Sequence, residues 1–152
     1  MSAVIETVTS EPYLRLGEIE GLVEGFESCT LPREEWTHRA HLTVACWYLL
    51  RHDKEGATVL IRKGIKRFNE AKGIVTTERC GYHETITLFY IHIVGKHLRE
   101  SRVEISIVNL MNKLIERYGE KSLPLEYYSK ERLMSVEARA AWLEPDLKRL
   151  DC

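Results

Sequence analysis

Three histidines and one glutamate, in two short strings of the sequence, are the side chains best suited to chemistry. The strings are WTHRAHL at residues 36–42 and GYHET at residues 81–85. His38 and His41 are three residues apart, so on a helix their imidazoles leave the same face as neighbours. His83 and Glu84 stand at the start of a second apolar run. If the two helix beginnings adjoin, these four side chains would surround one metal ion.

The donor types of this predicted centre favour a divalent zinc, iron or manganese ion. Three histidine ligands leave an open position, which is the pattern of a catalytic site, and Glu84 would be a fourth ligand or a general base. The metal would polarise a carbonyl or activate water. The sequence therefore predicts a metal-dependent lyase or hydrolase that hydrates, dehydrates (with or without cyclisation) or hydrolyses a small polar metabolite.

Two further side chains complete the predicted catalytic set with Glu84. The hydroxyl of Tyr82 can donate to a developing oxyanion, and the guanidinium of Arg139 can hold a carboxylate. Tyr127 and Tyr128 have the same chemistry, but paired tyrosines more often fill a core while their hydroxyls reach the surface.

Three alternatives stay open at this point. A metal-free enzyme would use His38 or His83 as acid or base, with Glu84 setting the tautomer. A non-catalytic ligand-binding or partner-binding module would need the histidines only for its structure. A nucleic-acid role would use the basic face from Arg62 to Arg67, but a solvated face explains that pattern better, because no aromatic residue interleaves it. The sequence thus favours a small-molecule partner and no nucleic acid.

The other histidines rank lower as ligands. His52 is three helical turns from His41, and His92 falls on the far side of its helix from His83. His97 lies in a charged stretch, which predicts an exposed side chain.

The elements that must position these residues are helices. Apolar residues recur at helical spacing and no useful alternating pattern is present, which predicts an all-α, bundle-like single domain of five to six helices. Predicted helices span residues 15–28, 38–52, 55–72, 83–99, 101–118 and 136–143. The second is apolar on nearly every side and is expected to be central. Residues 1–12 are expected to be a flexible arm, and residues 13–152 the single domain.

Local signals fix several helix ends. Thr37 and Asp53 are predicted N-caps, Gly73 a left-handed C-terminal stop, and Ser101 to Glu104 a capping box.

Composition indicates an ordinary intracellular protein of 152 residues with net charge -1. The start of the chain has no signal-peptide pattern and no apolar run is long enough to span a bilayer. The four cysteines form no metal-binding spacing and are expected to be reduced thiols in the cytoplasm. A helix that is apolar all round is also compatible with a homodimer.

Together with Tyr127–Ser129 and residues 144–147 (EPDL), the two histidine strings resemble the signature of a family of small bacterial proteins of uncharacterised activity. The likeness covers roughly residues 26–147 and implies that the WTHxAHL and GYHET motifs belong together. It brings no activity with it.

Overall fold

The computed structural model describes residues 11–101 and 105–151, and in this part of the chain it is an all-α helical bundle. The helices are α1 (Leu16–Glu27), α2 (His38–Arg51), α3 (Lys54–Ala71), α4 (Glu84–Glu100), α5 (Ile107–Tyr118), α6 (Lys130–Leu133) and α7 (Val136–Ala140). Two 3₁₀-helices cover Arg33–Glu35 and Leu123–Glu126. The predicted fold class is confirmed, with α6 and α7 as one-turn additions to five longer helices. Most of the predicted N-terminal arm, residues 1–10, lies outside the described residues.

Helix α2 is the centre of the bundle, as its sequence predicts. It packs against α1, α3, α4 and α5. Five consecutive side chains, from Leu42 to Cys46, are buried, and five residues at about 100° each cover the whole circumference of a helix. The helix therefore has no solvent face along this stretch, and its N-terminal turn with His38 and His41 is held firmly in place.

Close contact between α1 and α3 depends on a glycine. A Cβ atom added to Gly64 would lie 2.8 Å from two ring carbons of Phe26. The ring of Phe26 is fully buried and stacks on Trp36 with centroids 4.7 Å apart. The missing side chain thus lets an aromatic stack form that ends at the His41 ring.

Capping residues set the helix starts. Thr37 accepts a hydrogen bond from the Ala40 amide, and Asp53 accepts one from Gly56. Gly73 has a φ of 71°, so the predicted left-handed stop is confirmed. Ser101, however, ends α4, and Ser106 caps α5. The predicted capping box at residues 101–104 therefore does not begin that helix; residues 102–104 lie outside the described residues.

The C-terminal segment is tied to the beginning of α4 by buried polar contacts. Thr85 donates to the Ala141 carbonyl at 2.8 Å and accepts from the Leu143 amide at 3.2 Å. Tyr128 is fully buried and donates to the Leu143 carbonyl at 2.6 Å. Helices α6 and α7 are thereby fixed over the GYHET string.

Residues 11–101 and 105–151 contain no helix that combines the length and apolar character needed to cross a membrane.

Candidate functional site

His38 and His41 share the wall of one cavity of about 400 Å³, which is called the histidine cavity here. Its mouth and polar side also carry Trp36, Thr87, Tyr90 and Lys121. The remaining wall is apolar and comes from α3, α4 and the C-terminal segment: Ile61, Ile65, Ile86, Ile91, Leu133 and Met134. A mostly apolar hollow with a few converging polar groups is the usual form of a small-molecule site.

Each of the two imidazoles has its tautomer fixed by a backbone carbonyl. Nε2 of His38 donates to the Tyr118 carbonyl at 3.2 Å, and Nδ1 of His41 donates to the Thr37 carbonyl at 2.7 Å. A carbonyl oxygen only accepts, so these nitrogens carry the protons. Nδ1 of His38 and Nε2 of His41 then hold lone pairs, and neither has a hydrogen-bond partner among the described residues.

Both rings are neutral at physiological pH. Burial lowers the pKa of His41 to about 4, against the opposing effect of its bond to Thr37. Burial also lowers the pKa of His38, and the positive charge of Lys121 adds to that shift. His38 and His41, each with one unprotonated nitrogen, therefore line the cavity together with Lys121.

Aromatic contacts hold these rings in position. Trp36 covers His41, with ring centroids 3.9 Å apart, and is itself stacked on the buried Phe26. Tyr90 contacts His38 edge-on at 4.8 Å. Fixed rings need little reorganisation when a ligand binds, which is the condition for a preorganised site.

His83 has a structural role, because neither of its ring nitrogens is free to bind a ligand beside His38 and His41. Its Nδ1 accepts the Ile86 amide at 3.1 Å and caps α4, while its Nε2 donates to the Leu133 carbonyl at 2.8 Å. Both ring nitrogens are thus occupied, so this side chain fits no ligand role in its present orientation.

Glu84 faces a second hollow, of about 700 Å³, called the basic cleft here. Its carboxylate accepts two hydrogen bonds from Arg62, from Nε at 3.1 Å and from Nη2 at 2.6 Å, and a short one from the Tyr82 hydroxyl. Burial acts to raise the pKa of Glu84, but the bonds from Arg62 and Tyr82 outweigh it and leave this pKa below its ordinary value. Glu84 is therefore a carboxylate bound within the protein, and it sets no histidine tautomer.

Tyr82 and Arg139 line the same cleft as Glu84. Burial first, and then the bond to Glu84, raises the pKa of Tyr82 to about 12, so its hydroxyl keeps its proton. Arg139 donates to the carbonyls of Glu78, Gly81 and Tyr82 at 3.2 to 3.3 Å. The predicted catalytic set is thus brought together in the basic cleft, and Tyr82 also borders a hollow that His41 lines.

The predicted metal ligands do not converge on one point, although His41 and His83 both line a further hollow of about 330 Å³. His38 and His41 face the histidine cavity, His83 caps a helix, and Glu84 is bound to Arg62 in the basic cleft. In the described part of the chain, no group of three or more histidine, cysteine, aspartate or glutamate side chains could hold a metal ion. The donor set as arranged does not fit the four-ligand centre, which stays a prediction.

Several residues that line the histidine cavity and the basic cleft are not predicted as site residues by the sequence. The sequence predicts a solvated basic face from Arg62 to Arg67, but two residues of that face, Arg62 and Lys66, line the basic cleft. Lys121, in the histidine cavity, follows a helix end and carries no local signal. The packing of α3 against α4 brings Arg62 and Lys66 to the GYHET string, and the packing of α5 against α2 brings Lys121 to the WTHRAHL string.

No protein-family model, curated protein or solved structure matches the chain. The resemblance to a bacterial family therefore stays a prediction.

Proposed function

We propose that the protein is a metal-independent acid–base enzyme for a small, partly apolar metabolite, with the histidine cavity as its active site. The supporting observation is the pair of imidazoles whose protonated nitrogens are tied to backbone carbonyls. Their lone pairs remain available in one hollow beside Lys121. A base that is neutral and held in a fixed position is suited to proton abstraction.

His38 is the proposed base. A nitrogen whose conjugate acid has a pKa of about 4 is a poor proton acceptor, so His41 orients the substrate by accepting a hydrogen bond from it. Lys121 adds an ammonium group, which stabilises negative charge that develops on a substrate oxygen.

The reaction is a proton transfer next to a carbonyl group. Nδ1 of His38 takes the proton, and the electron pair of the broken C–H bond moves into an enolate whose oxygen is stabilised by Lys121. The imidazolium then returns the proton to another carbon, which isomerises the substrate, or to a departing hydroxyl, which leaves as water. The reaction only moves protons and electron pairs, so it needs no redox partner.

Solvent deuterium exchange tests this proposal without knowledge of the natural substrate. A panel of small 2-hydroxy, 3-hydroxy and keto acids in D₂O is incubated with untagged protein and followed by proton NMR. The expected result is enzyme-dependent loss of a C–H signal next to a carbonyl, unchanged by EDTA.

The matched variants are His38→Gln and His52→Gln. Glutamine can keep the donor to the Tyr118 carbonyl but has no basic nitrogen, and His52 is an exposed residue just past the end of the same helix. Exchange is expected to fall by roughly 10²-fold or more in His38→Gln, as for other general bases, and to persist in His52→Gln. Equal rates in both variants would exclude His38 as the base. Loss with EDTA and recovery with zinc, iron or manganese would support the metal-dependent alternative instead.

A further inference from the structure

The basic cleft is lined by three cationic and two carboxylate side chains, and one of the carboxylates is paired with an arginine of the cleft. Arg62, Lys66 and Arg139 line it together with Glu78 and Glu84. Glu84 is bound on both oxygens by Arg62 and Tyr82. In residues 11–101 and 105–151, neither Lys66 nor Arg139 forms a salt bridge with a carboxylate. Three cations against the two carboxylates Glu78 and Glu84 leave the lining of the cleft with a net charge of +1.

Arg139 is held rigidly in this cleft. Its Nε and Nη1 donate to three backbone carbonyls around residues 78–82, which leaves Nη2 without a partner among the described residues. An arginine anchored in this way loses little side-chain entropy when an anion binds, and its remaining nitrogen, Nη2, can donate to one oxygen of that anion.

The facing wall is preorganised as well. Lys66 lies over the Tyr82 ring, with Nζ 4.8 Å from the centroid. The hydroxyl of Thr76 accepts from the Tyr82 amide at 3.2 Å. Gly81 has a φ of 88°, and a Cβ added there would lie 2.6 Å from the Cα of Thr76, so only glycine allows the loop to close this tightly.

We infer that the basic cleft is a second small-molecule site, which binds an oxyanion group (carboxylate or phosphate) of a small metabolite between Lys66 and Arg139. Arg62 and Glu84 form one wall as a neutral pair, and the hydroxyls of Thr76 and Thr77 are available to the same oxygens. A volume of about 700 Å³ has room for a metabolite-sized ligand. This site is separate from the proposed proton-transfer chemistry.

Anion titrations of the full chain, followed by ¹H–¹⁵N NMR, test this inference. Inorganic phosphate and succinate are added separately, with sodium chloride at matched ionic strength as the reference. Saturable shifts of the backbone amides of Lys66, Thr76, Thr77 and Arg139 are expected with at least one anion, beyond the effect of chloride. A response to phosphate alone or to succinate alone supports the site and identifies which oxyanion it takes.

Lys66→Gln and Lys63→Gln form the matched pair of variants. Both lysines are exposed residues of α3, but only Lys66 lines the cleft. Lys66→Gln is expected to weaken binding about fivefold or more and Lys63→Gln less than about twofold, since only the former removes a direct charged contact. Shifts no larger than those caused by chloride, or equal weakening in the two variants, would overturn the inference. His38→Gln is expected to bind anions like the wild type, so failure of the proposed catalytic function leaves this test intact.

Discussion

Nε2 of His83 lies 2.8 Å from the carbonyl oxygen of Leu133, fifty residues further along the chain. The same ring caps α4 through Nδ1, so a residue that resembles a metal ligand in the sequence joins the C-terminal segment to the bundle. His83 therefore has a structural role, whereas His38 and His41 line the histidine cavity.

His83→Ala is expected to lower the free energy of unfolding by about 2 kcal/mol. The change removes one N-cap and one buried hydrogen bond, each worth about 1 kcal/mol. His83→Asn can restore the cap but not the bond to Leu133, and should recover roughly half of the loss. Urea unfolding of the three proteins is the measurement, and an alanine variant as stable as the wild type would refute this structural role.

Gly64→Ala should destabilise the fold by about 1 to 3 kcal/mol, because its Cβ would overlap the ring of Phe26. Gly21→Ala is the control. That glycine is also helical, and an added Cβ there meets nothing within 4 Å, so the alanine variant is expected to gain up to about 1 kcal/mol from helix propensity. Thermal or urea unfolding measures the stability of both variants. If Gly64→Ala and Gly21→Ala changed the stability in the same direction by similar amounts, the close packing of α1 on α3 would be contradicted.

Arg62→Gln should reduce the free energy of unfolding by about 1 kcal/mol and raise the pKa of Glu84. Arg62 and Glu84 are partly buried, with side chains 32% and 15% exposed, so the pair is worth more than a solvated ion pair but less than a fully buried one. Arg67→Gln, an exposed arginine on the same helix, is the control and should have little effect. The Glu84 titration can be followed by carbon NMR of the labelled side chain, where an unchanged pKa would rule out the pairing.

Stability should fall as the pH drops from about 6.5 towards 4. The pKa of His41 is about 4 in the folded protein, below its ordinary value of 6.5, so the unfolded chain binds more protons in this interval. Full stability is therefore expected above pH 6.5, with a progressive loss below it. Denaturation curves of wild type and His41→Asn across this range are the check: the variant should show a shallower loss, and identical slopes would show that the folded protein does not hold His41 as a neutral ring.

Local signals explain which parts of the fold could be predicted. The caps at Thr37 and Asp53 and the stop at Gly73 are short-range hydrogen-bond and backbone preferences, and they act within one turn of the helix. The central place of α2 follows from its apolar residues on all sides. The prediction that Ser101 begins a helix is wrong, because the same capping pattern can occur by chance just after a helix end.

The sites depend on long-range packing and could be predicted only in part. His38 and His41 line one cavity, as expected for residues three apart on one helix face. Whether His83 joins them depends on where the C-terminal segment docks, which no local pattern encodes. His97 was expected to be exposed, but it is 4% exposed and donates to the Leu110 carbonyl, because α5 covers its side of α4. A different long-range contact, the packing of α3 and α7 against α4, brings Lys66 and Arg139 into the cleft beside Tyr82.

Nitrogen NMR of the histidine side chains at neutral pH reports directly on the two proposed functional nitrogens, Nδ1 of His38 and Nε2 of His41. We expect neutral rings with opposite tautomers: His38 protonated on Nε2 and His41 protonated on Nδ1, each with its other nitrogen free. Assignment by His38→Gln and His41→Asn identifies the signals. Imidazolium signals at pH 7, or a His38 proton on Nδ1, would contradict the account, because no base would then face the cavity.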